Sequence, residues 1–279
     1  MMKTVAGKRL LITGASMGMG RLYAQLAVQE RADALVLWDI DTKKLQKLKE
    51  ELSFGTTKVF TETVDISDLK QIRKALSKLK SYAQRIDIII NNAGIVRGKY
   101  FWEHDLESDI DRTIAVNCLG PMYITRLLLP QMLSDRDNQC RIVNISSAAG
   151  LISNPKMSVY CASKWALTGW SDSLRLELVQ TGNEHIKVTT VNPSYISTGM
   201  FQGVKPMLFT PILKPEYVVS KVWSAMKKGK ARVLLPWTIY LSNMLKGILP
   251  ISVFDWVADR IFGVYGTMES FTGRSTSLD

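Results

Sequence analysis

The sequence predicts a doubly wound α/β fold, one parallel sheet with helices on both faces. Two observations carry this. Apolar, β-rich runs alternate with amphipathic helical stretches as far as about residue 236, the order expected of βαβ units. The runs are also apolar at nearly every position, as strands are when helices cover both of their faces. A length of 279 residues, with no repeat, low-complexity segment or dividing linker, fits a single domain.

The elements follow in order. "KRLLITG" (8–14) is the first strand and residues 19–30 the first helix. "ALVLWD" (34–39) is the second strand, followed by the helix "TKKLQKLKEEL" (42–52). "KVFTETVD" (58–65) precedes a helix over 69–82, and "IDIIINNAG" (86–94) is the fourth strand. A long helical region over 105–133 should be perturbed at Gly120-Pro121, because proline lacks a backbone donor. "CRIVNISS" (140–147), a helix over 158–180, "IKVTTVNP" (186–193) and "ARVLLP" (231–236) complete the alternation. Residues 194–215 and the tail from 237 stand outside it.

Composition narrows the class. Hydrophobic content of 46% and charged content of 22% are those of a globular protein. The net charge of +11 favours anionic partners in general, but Lys and Arg are scattered and no nucleic-acid motif is present. The densest basic knot, "KKGKAR" (227–232), reads as a solvated helix end, with a phosphate or lipid contact as the alternative. Cys118, Cys140 and Cys161 have no CxxC or metal spacing and read as reduced thiols of a cytoplasmic protein. His104 and His185 lack the spacing of a helical metal pair, so no metal site is expected. The N-terminus is no signal peptide, and the most apolar stretch (233–254) is interrupted by Asn243, Lys246 and two prolines, so no membrane span is expected.

Two stretches carry chemistry. "TGASMGMG" lies between the first strand and first helix, where Gly14, Gly18 and Gly20 let the backbone approach a ligand and the helix start offers free N–H groups to a pyrophosphate. Asp39 ends the second strand, about 20 residues on, where a carboxylate can bind ribose hydroxyls and repel a 2′-phosphate. Met17 brings no basic residue to offset that repulsion, so NAD is expected over NADP. Asp41 reads as a turn or cap residue. In "VYCASKWALTG" (159–169), Tyr160 and Lys164 stand four apart on one helix face, as a solvated face or a proton-transfer pair.

Taken in order, "TGASMGMG", Asp65 in "VDISD", "NNAG" (91–94), Asn117 in "AVNCLG", "IVNISSAAG" (142–150), "YCASK" (160–164) and "VNPSYIST" (191–198) resemble the short-chain dehydrogenase/reductases over residues 8–235. "LVLWDI", the "YCASK" context and the basic C-terminal third look most like the branch acting on retinoids, steroids and other lipid alcohols. The resemblance implies a Rossmann-type domain over 1–279, with a dinucleotide-binding core (8–193), a substrate-covering loop (194–215) and a C-terminal helical extension (237–279). It implies Tyr160 as acid/base, with Lys164⁺ lowering its pKa and binding cofactor ribose. Ser147, thirteen positions before Tyr160, would hold the substrate oxygen, with Ser146 behind it. Asn117 would support a water relay from Lys164, or brace a helix bend through backbone bonds.

The same resemblance assigns the cofactor wall to Gly14, Ser16, Met17, Gly18, Met19 and Gly20, Asp39 and Ile40, and Asp65 on the adenine amino group with Ile66 beside it. Asn92, Ala93 and Gly94 line the adenosine side while Asn91 braces strands, and Pro193, Ile196 and Thr198 hold the nicotinamide half. Ser194 departs from the glycine usual after that proline, and the branch's frequent N-terminal membrane anchor is not evident. The implied reaction is hydride transfer between nicotinamide and an alcohol, ketone or aldehyde carbon. A 3-oxoacyl-thioester reductase and a non-catalytic NAD-binding regulator are the alternatives. Met200 and Phe201 open an apolar cover over the substrate, which suits a lipid-like molecule. Family relatives assemble through the helices carrying Asn117 and Tyr160, so a homodimer or homotetramer is expected. The tail stripe of Trp237, Tyr240, Leu241, Met244, Leu245 and Ile248 reads as core or subunit interface, or as an interfacial helix with Lys246 giving peripheral membrane contact.

Overall fold

A computed structural model describes residues 1–273. The strands are β1 (Arg9–Thr13), β2 (Ala34–Asp39), β3 (Lys58–Thr63), β4 (Ile88–Asn91), β5 (Cys140–Ile145), β6 (Ile186–Pro193) and β7 (Arg232–Leu235). They form one sheet in the order β3-β2-β1-β4-β5-β6-β7, with every pair parallel. Strand order reverses between β1 and β4, so the loops leaving these two strands diverge and open a crevice at their carboxyl ends.

The unbroken apolar strands are explained by two cores. Leu10 and Ile12 face one layer, with Tyr23 and Ala24 of α1 (Gly18–Gln29) and Val222 and Trp223 of a later helix. Leu11 points the other way, into a layer with Val36, Ile89, Ile142, Leu128 and Leu174. Alternate side chains leave a strand on opposite faces, so both parities must be apolar.

Helices α2 (Thr42–Leu52) and α3 (Leu69–Tyr82) start on Asp41 and Asp68, whose carboxylates accept the N–H groups of Lys44 and Lys70. Helix α4 covers residues 106–134 and is interrupted earlier than its Gly-Pro pair suggests. Leu106–Asp111 and Ala115–Leu119 are π-helical, and regular α-helix resumes at Gly120–Ser134 with Pro121 in its first turn, where a missing N–H costs nothing. Gly120 itself serves packing: a Cβ there would stand 2.7 Å from the Ile66 carbonyl oxygen. Helix α5 (Ser158–Gln180) carries the Tyr-Lys pair. Helix α6 (Pro215–Lys228) ends at Gly229, which takes a left-handed φ of 68°. The basic knot is therefore a helix end, but Lys227 is turned inward onto Glu30, which also accepts from Trp223 Nε1.

Helices α7 (Thr238–Ile248) and α8 (Ile251–Trp256) follow β7. The chain then folds back across the 194–215 segment, with Leu208 N–H on Phe262 O, Lys205 N–H on Thr267 O and Thr272 N–H on Gln202 O. Residues 274–279 of the expected extension lie outside the described residues. No described helix is long and apolar enough to cross a membrane.

Candidate active site

The glycine loop is held tightly against β4. Gly14 has φ 62°, and a Cβ on it would lie 2.8 Å from Ala93 Cα. A Cβ on Gly20 would lie 2.1 Å from Gly14 O, so only glycine allows helix α1 to start this close to the loop. Met17 is the residue before α1 and offers no side-chain cap, which leaves the first N–H groups of the helix for a ligand. Thr198 packs 3.5 Å from the Cβ position of Gly18, closing a cleft of about 390 Å³ lined by Gly18, Arg21, Ser197 and Thr198. This lining fits a dinucleotide pyrophosphate, and the buried Ser16 hydroxyl has no hydrogen-bond partner among the described residues.

Several residues expected at the cofactor make bonds within the protein. Asp39 accepts from Ser16 N–H at 2.9 Å and Asp41 N–H at 3.1 Å, so it shapes the glycine loop as well as ending β2. Ile40 beside it is exposed. Asn92 spends its amide on the Thr13 and Gly14 carbonyls, each at 3.0 Å, and is a brace of the loop. Asn91 ties β4 to β5 through Asn144 at 2.8 Å, as expected. Asp65 is already engaged by Ser67 Oγ at 2.7 Å and Arg112 at 2.6 Å. Burial opposes ionisation there, yet the hydrogen bonds from Ser67 and Arg112 hold its pKa below the usual range. Ile66 is buried against Gly120. Ile196 pairs with Leu213, anchoring the segment after Pro193 back to the sheet.

The chemistry-bearing residues converge where β4, β5 and α5 meet. Tyr160 is buried, only 4% exposed, and hydrogen-bonds Ser147. Lys164 Nζ lies 5.7 Å from the Tyr160 ring centroid and donates to Ile145 O at 2.9 Å. A Cβ on Gly94 would stand 3.6 Å from that ammonium, so Gly94 leaves the space above it open. Asn117, in the second π-helical segment, accepts from Ile95 N–H and donates to Ile95 O, both at 2.8 Å, and donates to Ser163 Oγ at 3.1 Å. Ser163 in turn donates to Tyr160 O at 2.7 Å. Ser146 sits behind the site, on Lys164 O and Thr168.

Electrostatics differ from the simple expectation for a Tyr-Lys pair. Burial pushes the Tyr160 phenol well above its ordinary range, and the Ser147 hydrogen bond only partly offsets this. Burial also brings Lys164 down to about 8. Burial drives both groups toward their neutral forms.

Ser147 also stands in the wall of a cavity of about 290 Å³, with Met157, Tyr195, Thr210, Ile239 and Phe262. Its rim includes Phe209 and Trp237, which are 70% and 69% exposed. Met200 and Phe201 of the covering segment pack against the cluster that holds Tyr160, with Phe201 edge-on to the Tyr160 ring at 6.0 Å.

The family described as short chain dehydrogenase matches residues 8–208. The chain belongs to the short-chain dehydrogenase family. It is a nicotinamide-dependent oxidoreductase of that family's retinol dehydrogenase branch. It is 36% identical over 278 residues to epidermal retinol dehydrogenase 2 of Mus musculus, covering 98% of this chain and 87% of the relative. It is 33% identical to retinol dehydrogenase 10 of Homo sapiens, covering 89% and 80%. A short-chain dehydrogenase/reductase of Burkholderia phymatum in complex with NAD superposes with a TM-score of 0.79 at 24% identity, over 88% of this chain and 95% of that one. That likeness is one of fold.

The match of this dehydrogenase to its family ends at residue 208, whereas Phe209, Trp237, Ile239 and Phe262 of the cavity wall lie beyond it. The sequence reading missed Asn154 and Tyr195 as wall residues and Ser163 as the link between α4 and α5. Ser163 carried a signal, a small polar residue between Tyr160 and Lys164. Asn154 sits in an irregular loop with no periodicity to reveal it.

Proposed function

We propose that this dehydrogenase uses NAD(H) to interconvert an apolar, lipid-like alcohol, of the retinoid or steroid class, and its carbonyl. The carrying observation is the apolar cavity with Ser147, the hydrogen-bonding neighbour of Tyr160, in its wall. When bound, the nicotinamide supplies or accepts the hydride. Ser147 holds the reacting oxygen at the cavity's end. Tyr160 as the phenol donates the proton to that oxygen on reduction, and as the phenolate takes it on oxidation. Lys164 provides positive charge beneath the pair and a donor for ribose hydroxyls, while Asn117, through Ser163, fixes the backbone on which Tyr160 stands. Pro193 and Thr198 border the nicotinamide half, and Met200 and Phe201 close over the substrate.

Asp39 at the end of β2 supports NAD over NADP. The names of the retinol dehydrogenases in Mus musculus and Homo sapiens support the retinoid class. The exposed tail helices support peripheral contact with a lipid surface, and the exposed Trp165, Leu176 and Val179 on α5 support self-association through that helix.

The test is a panel from short aliphatic alcohols to retinol and steroid alcohols, followed by NADH absorbance, with NADP in parallel. Long apolar alcohols should turn over with NAD, and Tyr160→Phe should bind NADH normally while losing about 10²–10⁴-fold in kcat. Near wild-type turnover by Tyr160→Phe would refute the assigned role.

A further inference from the structure

Behind Ser147 and Lys164, where β5, β6 and α5 meet, runs a line of polar side chains that touch neither cofactor cleft nor cavity. Asn192 near the end of β6, Ser146 just past β5 and Thr168 on α5 are all buried. Asn192 Nδ2 donates to Ser147 O at 2.8 Å and to Thr168 Oγ1 at 3.1 Å, which uses both protons of its amide. Ser146 Oγ donates to Lys164 O at 3.0 Å and stands 2.8 Å from Thr168 Oγ1. A hydroxyl has one proton, and that of Ser146 is committed to Lys164 O. The proton between the two hydroxyls is therefore that of Thr168. The bonds run one way, from Asn192 to Thr168 to Ser146 to the Lys164 carbonyl.

Thr168 does not behave as a hydroxyl inside a helix commonly does. Such a group turns out to solvent or back to the carbonyl four residues earlier, as Ser171 does to Leu167 O at 2.6 Å. The corresponding carbonyl for Thr168 is Lys164 O, and Ser146 occupies it. Gly150 admits this contact, since a Cβ there would stand 2.6 Å from Lys164 O and 2.8 Å from Thr168 Oγ1.

We propose that Thr168 is a positioning residue for the dehydrogenase reaction. It fixes the amide of Asn192 that holds Ser147 O, and through Ser146 it fixes the carbonyl of Lys164. One hydroxyl thereby sets the spacing between the end of β5, which presents Ser147, and the turn of α5 that presents Lys164. The proposal rests on the roles given above to Ser147 and Lys164.

Thr168→Val keeps the shape and removes the hydroxyl, whereas Thr168→Ser keeps the hydroxyl. Retinol oxidation with NAD and thermal melts are measured on wild type, both variants and Ser146→Ala, and each protein is crystallised with NADH. Thr168→Val should lose about 10- to 100-fold in kcat, the scale of a misplacement of up to about 1 Å, with KM for retinol nearly unchanged. Its Ser147 and Lys164 carbonyls should separate from their wild-type spacing by more than about 0.5 Å, the tolerance of a catalytic constellation. Thr168→Ser should restore both kcat and spacing. Ser146→Ala should lose less than Thr168→Val, because the freed Thr168 hydroxyl can turn back to Lys164 O.

Wild-type kcat in Thr168→Val, with only a lower melting point, would make the residue part of the fold alone and overturn the proposal. A kcat loss that Thr168→Ser does not restore would overturn it equally. Should Thr168→Val not fold, Ser146→Ala decides: a displaced Lys164 carbonyl with reduced kcat supports the proposal, and an unmoved carbonyl with wild-type kcat overturns it. Should wild type not oxidise retinol, the retinoid reading fails and the crystal structures decide: a spacing changed in Thr168→Val and restored in Thr168→Ser supports the proposal, and an unchanged spacing overturns it.

Discussion

Tyr160 and Lys164 illustrate how far a spacing of four can be read. The spacing placed both groups on one face of α5, and the structure puts the ammonium beneath the phenol ring. It did not reveal that burial would dominate their titration. The folded pKa of Lys164, about 8, lies below the ordinary lysine value of 10.5. Folding therefore disfavours the charged amine. The cost is fully present below about pH 8 and disappears as pH rises toward 10.5. Lys164→Met should remove it at pH 7. Allowing for the lost bond to Ile145 O, the net gain is on the order of 2 kcal/mol, a melting point a few degrees higher. The gain should shrink as pH is raised from 8 to 10, while dehydrogenase activity is lost at every pH. Thermal melts of both proteins across pH 7–10 check this, and a gain that does not narrow would show that packing, not charge, sets the difference.

Asp39 also acts twice. If Asp39 sets the proposed preference for NAD, Asp39→Ala should raise kcat/KM for NADP relative to NAD by roughly tenfold or more, because a carboxylate at this place repels a 2′-phosphate. It should also lower the melting point, since Ser16 N–H loses its acceptor. Steady-state kinetics with both cofactors separates the two effects. An unchanged cofactor ratio would leave Asp39 with the loop-shaping role alone. Residues like this were legible by type and position, but their bonding within the protein was not, because the partners Ser16 and Asp41 lie on different turns. Asp65 and Asn92 teach the same lesson: the motif marks the place, and the contacts decide what the side chain is free to do.

At the scale of elements, the alternation of strand and helix was legible because two-faced burial makes each strand uniformly apolar. Helix α4 was legible as a helix but not in its breaks. Its π-helical turn at Ala115–Leu119 arises where Asn117 is drawn onto both backbone groups of Ile95, a contact across elements that local propensity does not encode. Helix α6 was visible only through its basic end. The start of α1 offers a sharp test. Gly20→Ala would drive a methyl group into the Gly14 carbonyl at 2.1 Å, and backbone on both sides leaves no flexible neighbour to yield. NADH affinity should fall at least tenfold, with a lower melting point. Gly169→Ala, where nothing lies within 4 Å, should leave both nearly unchanged. Fluorescence titration with NADH compares them, and similar losses in the two variants would contradict the close-approach argument.

Across the whole molecule, the tail stripe divides: Leu241 and Leu245 are half-buried, Leu241 in the cavity wall, and the rest turns outward. Its residues share helical spacing, but spacing alone could not tell core from surface. Trp237, Tyr240, Met244, Ile248, Ile251 and Trp256 are all exposed, and Trp237 also borders the substrate cavity. Lys246 does not join them: its ammonium donates to Leu151 O at 2.8 Å and sits 4.1 Å over the Trp165 ring, which fastens α7 to the catalytic region. An apolar face with tryptophans, beside the cavity that Trp237 lines, on a chain of net charge +11, fits the interface of an anionic bilayer. Immersing Trp237 and Ile248 contributes about 2 kcal/mol each. The double variant Trp237→Ser/Ile248→Ser should therefore cut partitioning onto phosphatidylcholine–phosphatidylglycerol vesicles at low salt by more than tenfold. It should raise KM for an alcohol delivered in those vesicles and spare turnover of a short water-soluble alcohol. Wild-type protein that stays in the supernatant, or a double variant that changes oligomeric state instead of sedimentation, would reassign this face from lipid to a second copy of the chain.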